Sequence, residues 1–517
     1  MKTIQFLHLP DPYPNEPGTP DDRLKRKAMA GLAERLTRFK QPGPLFASRA
    51  KAYQKRLNSE LRAIQKAGFA NYILIAADLV DYARQKGIRI GPGRGTANSS
   101  MVNYCLGITK IDPLQYGLIF ERFITPSQDQ LPSIDLDFCY EGRKEIVRYM
   151  KKKYGEEQVK RLRSCLCPHL RATVRGVGRI LNLPVSKVDA IAKLIPWDSR
   201  DLKEAIEQEP RLKKMTESEP IIAQLFQIAV RIEGKVRLPD GPPSGFVLAD
   251  QPISNFLPLY KIFLPTYKKY RGNDQSAGDI FDEAEARNLG LAIYYFIGLG
   301  ILLSRIDHYL KLIRKNHSRQ IDIDEIPLDD KKTWELFARA DTEGVFLMEA
   351  NGRKKLLRRL KPQNIEELAA VDTIHRPSLD KKDIPDSYIR RKQGKEKILK
   401  IHPVFHDITR ETFGLILYQE QVMMIAHRLA GFTMDKAYIF LKQMLGKSEE
   451  MREQFIRGCV KNKLAKEKAR LILEEIKRQA PVTFLKAHSI GYAILAFQTA
   501  WLKANYPEEF ANSRLED

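Results

Sequence analysis

The sequence is poor in cysteine and short of acidic residues. Its 517 residues hold only 5 cysteines. No two are spaced C-x-x-C, and Cys165 and Cys167 are separated by a single residue, which is not a zinc-finger spacing. That usage argues against a disulfide framework and suits reduced thiols in a cytoplasmic protein. No apolar run reaches the length of a membrane span. The longest, Leu289 to Leu303, covers 15 residues and includes three glycines. It predicts a buried strand turning into a buried helix, and no membrane partner. The opening "MKTIQFLHLPDPYPNEPG" lacks the apolar core of a secretory leader. Internal repeats and low-complexity tracts are absent as well.

What is present in excess is positive charge. Lys and Arg number 87 against 64 Asp and Glu, a formal balance of +23. Such a balance favours a polyanionic partner, above all nucleic acid, over a basic surface that is merely solvated. Hydrophobic residues make up 43% of the chain, enough for sizeable cores. The length suits roughly three or four domains.

Residues 1 to 20 are proline-rich and read as an irregular lead-in. From Asp21 to Gly87 the pattern is helical, with acids in a first turn and a glycine stop. "IRIGPGRGTANSSMVNYCLGI" predicts a short strand, a glycine-rich loop and a helix. "LIFERFITPSQDQLPSIDLDF" predicts a strand, a loop and a second strand. Residues 143 to 240 are mostly helical and basic, and "GFVLAD" and "LGLAIYYFIGLG" return to β character. From Ile301 onward the sequence is nearly all helix patterns. The basic stretches 381 to 400 and 460 to 478 are either solvated faces or phosphate tracks.

Two features carry chemistry. Asp135 and Asp137 alternate with Ile134, Leu136 and Phe138. On a strand the two carboxylates share one face and the apolar residues anchor the other. Their Cα atoms would stand about 6.5 Å apart at about 3.3 Å rise per residue. Adjacent carboxylates repel unless a cation sits between them, and Mg²⁺ takes a few carboxylates plus substrate phosphates. The alternative is an ordinary solvent-facing strand edge. About 40 residues upstream, "GPGRGTANSS" (91 to 100) precedes a predicted helix. Its glycines let backbone N–H groups approach an anion, although Thr96 departs from a full G-x-G-x-x-G pattern. A plain turn is the alternative.

These two stretches, "GPGRGTANSSMVNYCLGITKIDPLQYGLIFERF" and "LPSIDLDFCYEGR", resemble the palm of bacterial DNA polymerase III alpha subunits, the C-family replicative polymerases. The resemblance continues through "VRGVGRIL" (174 to 181), "IPLDDKKTWELFARADTEGVFLMEANGRKKLLRRLKP" (326 to 362), "FGLILYQEQVMMIAHRLAGFT" (413 to 433) and "KAHSIGYAILAFQTAWLKANYPEEF" (486 to 510). It implies an α+β protein: a polymerase-beta-like nucleotidyltransferase palm at 1–165 and 243–305, a helical thumb insert at 166–242, and large, mostly helical fingers at 306–517. It implies Mg²⁺ or Mn²⁺, a deoxynucleoside triphosphate substrate and primer–template DNA, with other replication or repair proteins as further candidate partners. Asp135 and Asp137 fall on the family's first two metal ligands, and Arg94, Gly95, Ser99 and Ser100 on its triphosphate loop. Arg376, Lys442, Lys486, His488 and Ser489 fall on fingers positions that face nucleotide or template. Simpler readings exist: a loop salt bridge for Arg376 and a helix cap for His488.

The chain also departs from the family pattern. The third metal-binding aspartate lies in a segment shaped "KFDFLGL"; here Tyr295 replaces the carboxylate and Ile293 the lysine. A neutral phenol is a poor Mg²⁺ ligand. Asp307, the next acid, belongs to the following helix. The histidine before "GGVV" is replaced by Pro242 or Pro243, paired fingers arginines by Lys442 and Gln443, and "RPGPL" by "RPSL" at 376 to 379. The chain is expected to start where the family's phosphoesterase domain ends and to stop before its clamp-binding, helix-hairpin-helix and OB-fold regions. The implied function is template-directed nucleotidyl transfer, impaired at Tyr295. The alternatives are a catalytically silent DNA-binding paralogue with an accessory, regulatory or defence role, and a pure protein scaffold, which the charge disfavours.

Overall fold

Buried Tyr53, Leu57, Glu60 and Ile64 recur at helical spacing, which puts them on one stripe of the helix Pro44–Ala67. The same logic builds most of the chain, a mostly helical α+β protein with a small mixed sheet. The computed structural model describes residues 8–37, 44–128, 131–162, 165–166, 170–196, 199–233, 238–239, 245–256, 260–261, 279–280, 283–296, 299–375, 383–445 and 448–512. Arg376 lies outside these residues, as do Pro242, Pro243 and Gly298.

The described chain divides into two compact units. One comprises 1–160, 245–256 and 287–517; the other comprises 161–244 and 257–286. In the first, strand Ile134–Asp135 runs parallel to Ala292–Tyr295, which pairs antiparallel with Gly245–Leu248. Val159–Leu162 closes the order at the far edge. The register sets Ile134 beside Tyr294 and Asp135 beside Tyr295. Ile134, Leu136 and Phe138 are buried, as the alternation requires. They join Tyr294 and Phe296 in a core shared with the helix Ala70–Gln85. A second core gathers around the helix Lys486–Asn505, which buries residues on nearly every side.

The second unit contains the helices Leu170–Ile180, Val185–Leu194, Leu202–Gln208, Pro210–Ser218 and Pro220–Ile232. Its core includes Val174, Val177, Val188, Ile191, Leu202 and Leu225. Arg171 closes the end of the second helix by donating to the Ile195 carbonyl at 2.6 and 3.1 Å.

Two local expectations are corrected, and the helix expected after the glycine loop is present but short. "LIFERF" is not a strand: Phe120–Arg122 is a 3₁₀ turn, with Phe123 N bonded to the Phe120 carbonyl at 2.8 Å. Ile119, Phe120, Phe123 and Ile124 are all buried. That spacing of three and four is helical, and a strand would have split these residues between two faces. Ile90 makes only an isolated bridge to Phe138 rather than a strand. After the glycine loop come a 3₁₀ turn, Gly95–Ser99, and the short helix Met101–Cys105.

Candidate metal- and phosphate-binding site

The D-x-D strand is short, and its two carboxylates turn to the glycine loop. Gly91 N donates to the Asp137 carbonyl at 2.8 Å, and Cys139 N to that of Arg89 at 3.1 Å. These bonds lay the loop along the segment after Asp135. Gly95 has φ +67°, and a Cβ there would stand 3.1 Å from Asp135 Oδ2. Only glycine combines that backbone angle with so close an approach.

Arg94 lies between the two acids. Its Nε is 3.3 Å from Asp137 Oδ2 and 3.9 Å from Asp135 Oδ2. Its Nη1 donates to the Tyr492 hydroxyl at 3.2 Å. Arg94 Nε and Nη2 and both carboxylate oxygens of Asp137 are buried without a well-aligned hydrogen bond. Asp137 is 2% exposed. Burial pushes its carboxyl up to about 7; Arg94 opposes the rise and Asp135 adds to it. Burial works against the charge on Arg94 too, but Asp137, Tyr492 and Asp135 together hold its proton more firmly than usual. Asp135 is more open and accepts a hydrogen bond from Ser133 Oγ at 2.9 Å.

Two adjacent carboxylates, one with both oxygens lacking a hydrogen bond, are a donor set that fits a hard divalent cation, which would take over the place of the Arg94 guanidinium now ion-paired with both. Among the described residues no third His, Cys, Asp or Glu joins the pair.

The loop is braced from two sides. Ser100 Oγ donates to Glu60 Oε2 at 2.8 Å, and Val102 N to the same oxygen at 3.1 Å. Glu60 is also paired with Arg56, whose Nη2 donates to the carbonyls of Ser99 and Leu118. From the other side, Asn98 Nδ2 donates to the Ala487 carbonyl at 2.9 Å. Gly491 presses on the loop so closely that a Cβ would lie 2.3 Å from the Gly93 carbonyl.

The fingers candidates are placed unequally. His488 and Tyr492 form a ring pair at 4.2 Å, and Phe484 lies 5.3 Å from His488. Tyr492 thus links His488 to Arg94. Lys486 is buried, with Nζ on Glu411 at 2.7 Å, and Ser489 is buried against the Thr373 hydroxyl at 3.0 Å. Both side chains are engaged in packing. Lys442 is exposed over the Tyr438 ring, with no contact to the aspartates among the described interactions. Asp307 forms an ion pair with Arg89. A cavity of about 610 Å³ is lined by that pair and by the Lys110–Asp324 pair, but not by Asp135 or Asp137.

Sequence reasoning missed Glu60, Ser133, Arg287 and Tyr492. Glu60 had a signal: it is the charged member of an otherwise apolar stripe at 53, 57, 60 and 64. Tyr492 had none, because only packing brings it to Arg94.

Two carboxylates packed against a glycine turn, with Arg94 between them, bring together the kinds of group that a cation and a phosphate require. Residues 22–277 match the family model described as "Bacterial DNA polymerase III alpha NTPase domain". Residues 302–463 match "Bacterial DNA polymerase III alpha subunit finger domain". The chain belongs to the bacterial DNA polymerase III alpha family. It is 35% identical over 521 residues to the DNA polymerase III subunit alpha of Aquifex aeolicus, covering 95% of this chain and 43% of the relative. It is 34% identical over 518 residues to that of Caulobacter vibrioides, covering 98% and 44%. To that of Escherichia coli K12 it is 35% identical over 515 residues, covering 96% and 43%. The chain therefore spans less than half the length of these curated relatives. No helix among the described residues is long and apolar enough to cross a membrane.

Proposed function

We propose that this chain is a polymerase-like core that binds primer–template DNA and a deoxynucleoside triphosphate, with nucleotidyl transfer impaired at the metal site. The observation that carries the reading is the Asp135–Asp137 pair facing the glycine loop, ion-paired with Arg94 and with both Asp137 oxygens lacking a hydrogen bond. On this reading 1–165 and 243–305 act as palm, 166–242 as thumb and 306–517 as fingers.

Asp135 and Asp137 would hold a divalent ion, Mg²⁺ or Mn²⁺. Such an ion supplies Lewis-acid charge that stabilises oxygens gaining negative charge during phosphoryl transfer. Arg94 and the backbone of Gly95 would meet the triphosphate, and the braces from Glu60 and Asn98 hold that loop in place. His488 and Tyr492 offer a partly exposed ring pair for the sugar or base. Lys486 and Ser489 would act by positioning their helix. Lys442, and Arg376 outside the described residues, would contribute charge along the DNA.

Impairment follows from Tyr295, which stands in register with Asp135 and offers a phenol where a carboxylate is needed. Loss of such a ligand costs orders of magnitude in rate. The test is primer extension by the wild-type chain, Asp137→Asn, and Tyr295→Asp combined with Ile293→Lys. The wild type should barely exceed Asp137→Asn, and the double variant should gain activity. Vigorous wild-type extension that the double variant does not improve would refute the impairment.

A second reading, a silent DNA-binding paralogue with an accessory, regulatory or defence role, is favoured by the engagement of the Tyr295 hydroxyl by Arg287. Both readings require DNA binding. With several phosphates neutralised, affinity for primer–template should fall about a thousandfold between low and moderate salt. Weak binding indifferent to salt would reject both.

A further inference from the structure

The helix Pro44–Ala67 has an outer face that the glycine loop does not use. Its inner side carries the buried stripe and, through Glu60 and Arg56, braces the loop. Lys51, Lys55, Arg62 and Lys66 follow one another at helical spacing. At about 100° per residue the four lie within about 60° of one another, on the side opposite Tyr53, Leu57 and Ile64. All four are exposed. The row they make is about 22 Å long at about 1.5 Å rise per residue.

The charge on this face has no internal partner. Glu60, the single acid of the helix, is buried and paired with Arg56. Among the described residues none of the four exposed cations enters an ion pair. Asp21 and Asp22, on the adjoining helix Pro20–Thr37, line a groove with Arg62 but form no ion pair with it. Among the described side chains of the helix no large apolar or aromatic one is exposed. The face therefore lacks both the apolar surface that sinks into a lipid layer and the ring on which an unpaired base stacks. What it offers is a straight row of cations on a rigid element. The matching partner is a polyanion whose charges are also held at fixed spacing.

We infer that the outer face of this helix binds the phosphate backbone of duplex DNA, independently of base sequence and apart from the cleft at Asp135 and Asp137. Lys51, Lys55, Arg62 and Lys66 meet up to four phosphates. Contacts of this kind hold and orient a duplex without reading it. The contact does not depend on metal in the cleft.

The test measures binding of the full chain to a blunt-ended duplex, which presents no recessed 3′ end, by fluorescence anisotropy over a salt series. Each neutralised phosphate adds about 0.9 to the slope of log affinity against log salt. The variant Lys51→Gln/Lys55→Gln/Arg62→Gln/Lys66→Gln, its folding checked by circular dichroism, should lose about 2 to 4 from that slope and bind at least tenfold more weakly at about 0.1 M salt. Lys51→Arg/Lys55→Arg/Lys66→Arg should keep the wild-type slope. In the wild type, duplex should protect Lys51, Lys55 and Lys66 from acetylation, read by mass spectrometry. Should the glutamine variant fail to fold, this footprint decides the matter. Equal slopes for wild type and the glutamine variant would overturn the inference. So would lysines left unprotected by duplex, or protected only by an oligothymidylate strand or by phosphatidylserine vesicles. Each of these results leaves the cleft reading standing, since primer–template held at the cleft needs none of the four.

Discussion

Asp137→Asn separates the cost of the site from its use. Burial raises the Asp137 carboxyl from an ordinary 3.8 to about 7. At about 1.4 kcal/mol for each tenfold change in proton affinity, that rise corresponds to about 4 kcal/mol. The native state holds this proton more tightly than the unfolded chain does. The associated stability is therefore complete at low pH, below about 4, and is lost as the pH climbs to about 7. Asparagine keeps the shape and removes the charge. It also deprives buried Arg94 of its nearer acidic partner, leaving Asp135 and Tyr492. That loss, about 3 to 5 kcal/mol for a broken buried pair, is comparable to the gain, so the discriminating quantity is the dependence of stability on pH rather than its value at one pH. The assay is urea denaturation of the metal-free chain from about pH 5 to about pH 8. Wild type should lose stability across this range, and the variant should lose less. Adding Mg²⁺ near pH 8 should restore the wild type by mass action and leave the variant unmoved. Parallel pH profiles for the two proteins would refute the reasoning, because they would mean that Asp137 is not ionising against a burial penalty.

Two further perturbations probe the braces of the loop. Glu60→Ala strips Arg56 of its buried partner and releases Ser100 and Val102 N, so a loss of about 3 kcal/mol or more in denaturant unfolding is expected. Gly491→Ala drives a methyl into the Gly93 carbonyl, at a cost of about 1 to 3 kcal/mol. It should also weaken nucleotide binding measured by calorimetry, because the loop must move to make room.

Much of the architecture was legible in the sequence because it depends on neighbours along the chain. Helical stripes such as Tyr53, Leu57 and Ile64 are a matter of period, and so is the alternation that buries Ile134, Leu136 and Phe138. The D-x-D pair and the glycine loop were visible as motifs for the same reason, and family resemblance joined them. The failure at "LIFERF" has a local cause: β-prone residues at a spacing of three and four were read for their type rather than their period.

What only tertiary structure decided is how distant segments meet. Packing of the helix Lys486–Asn505 on the loop brings Tyr492 to Arg94, and parallel strand pairing sets Tyr295 beside Asp135. Arg287 is brought to the Tyr295 hydroxyl by the fold of its own segment. Whether an aspartate is a solvated edge residue or a buried, half-satisfied ligand depends on what covers it. The sequence names the groups and their spacing along the chain. Their protonation, pairing and exposure follow from distances across space, which no local pattern encodes.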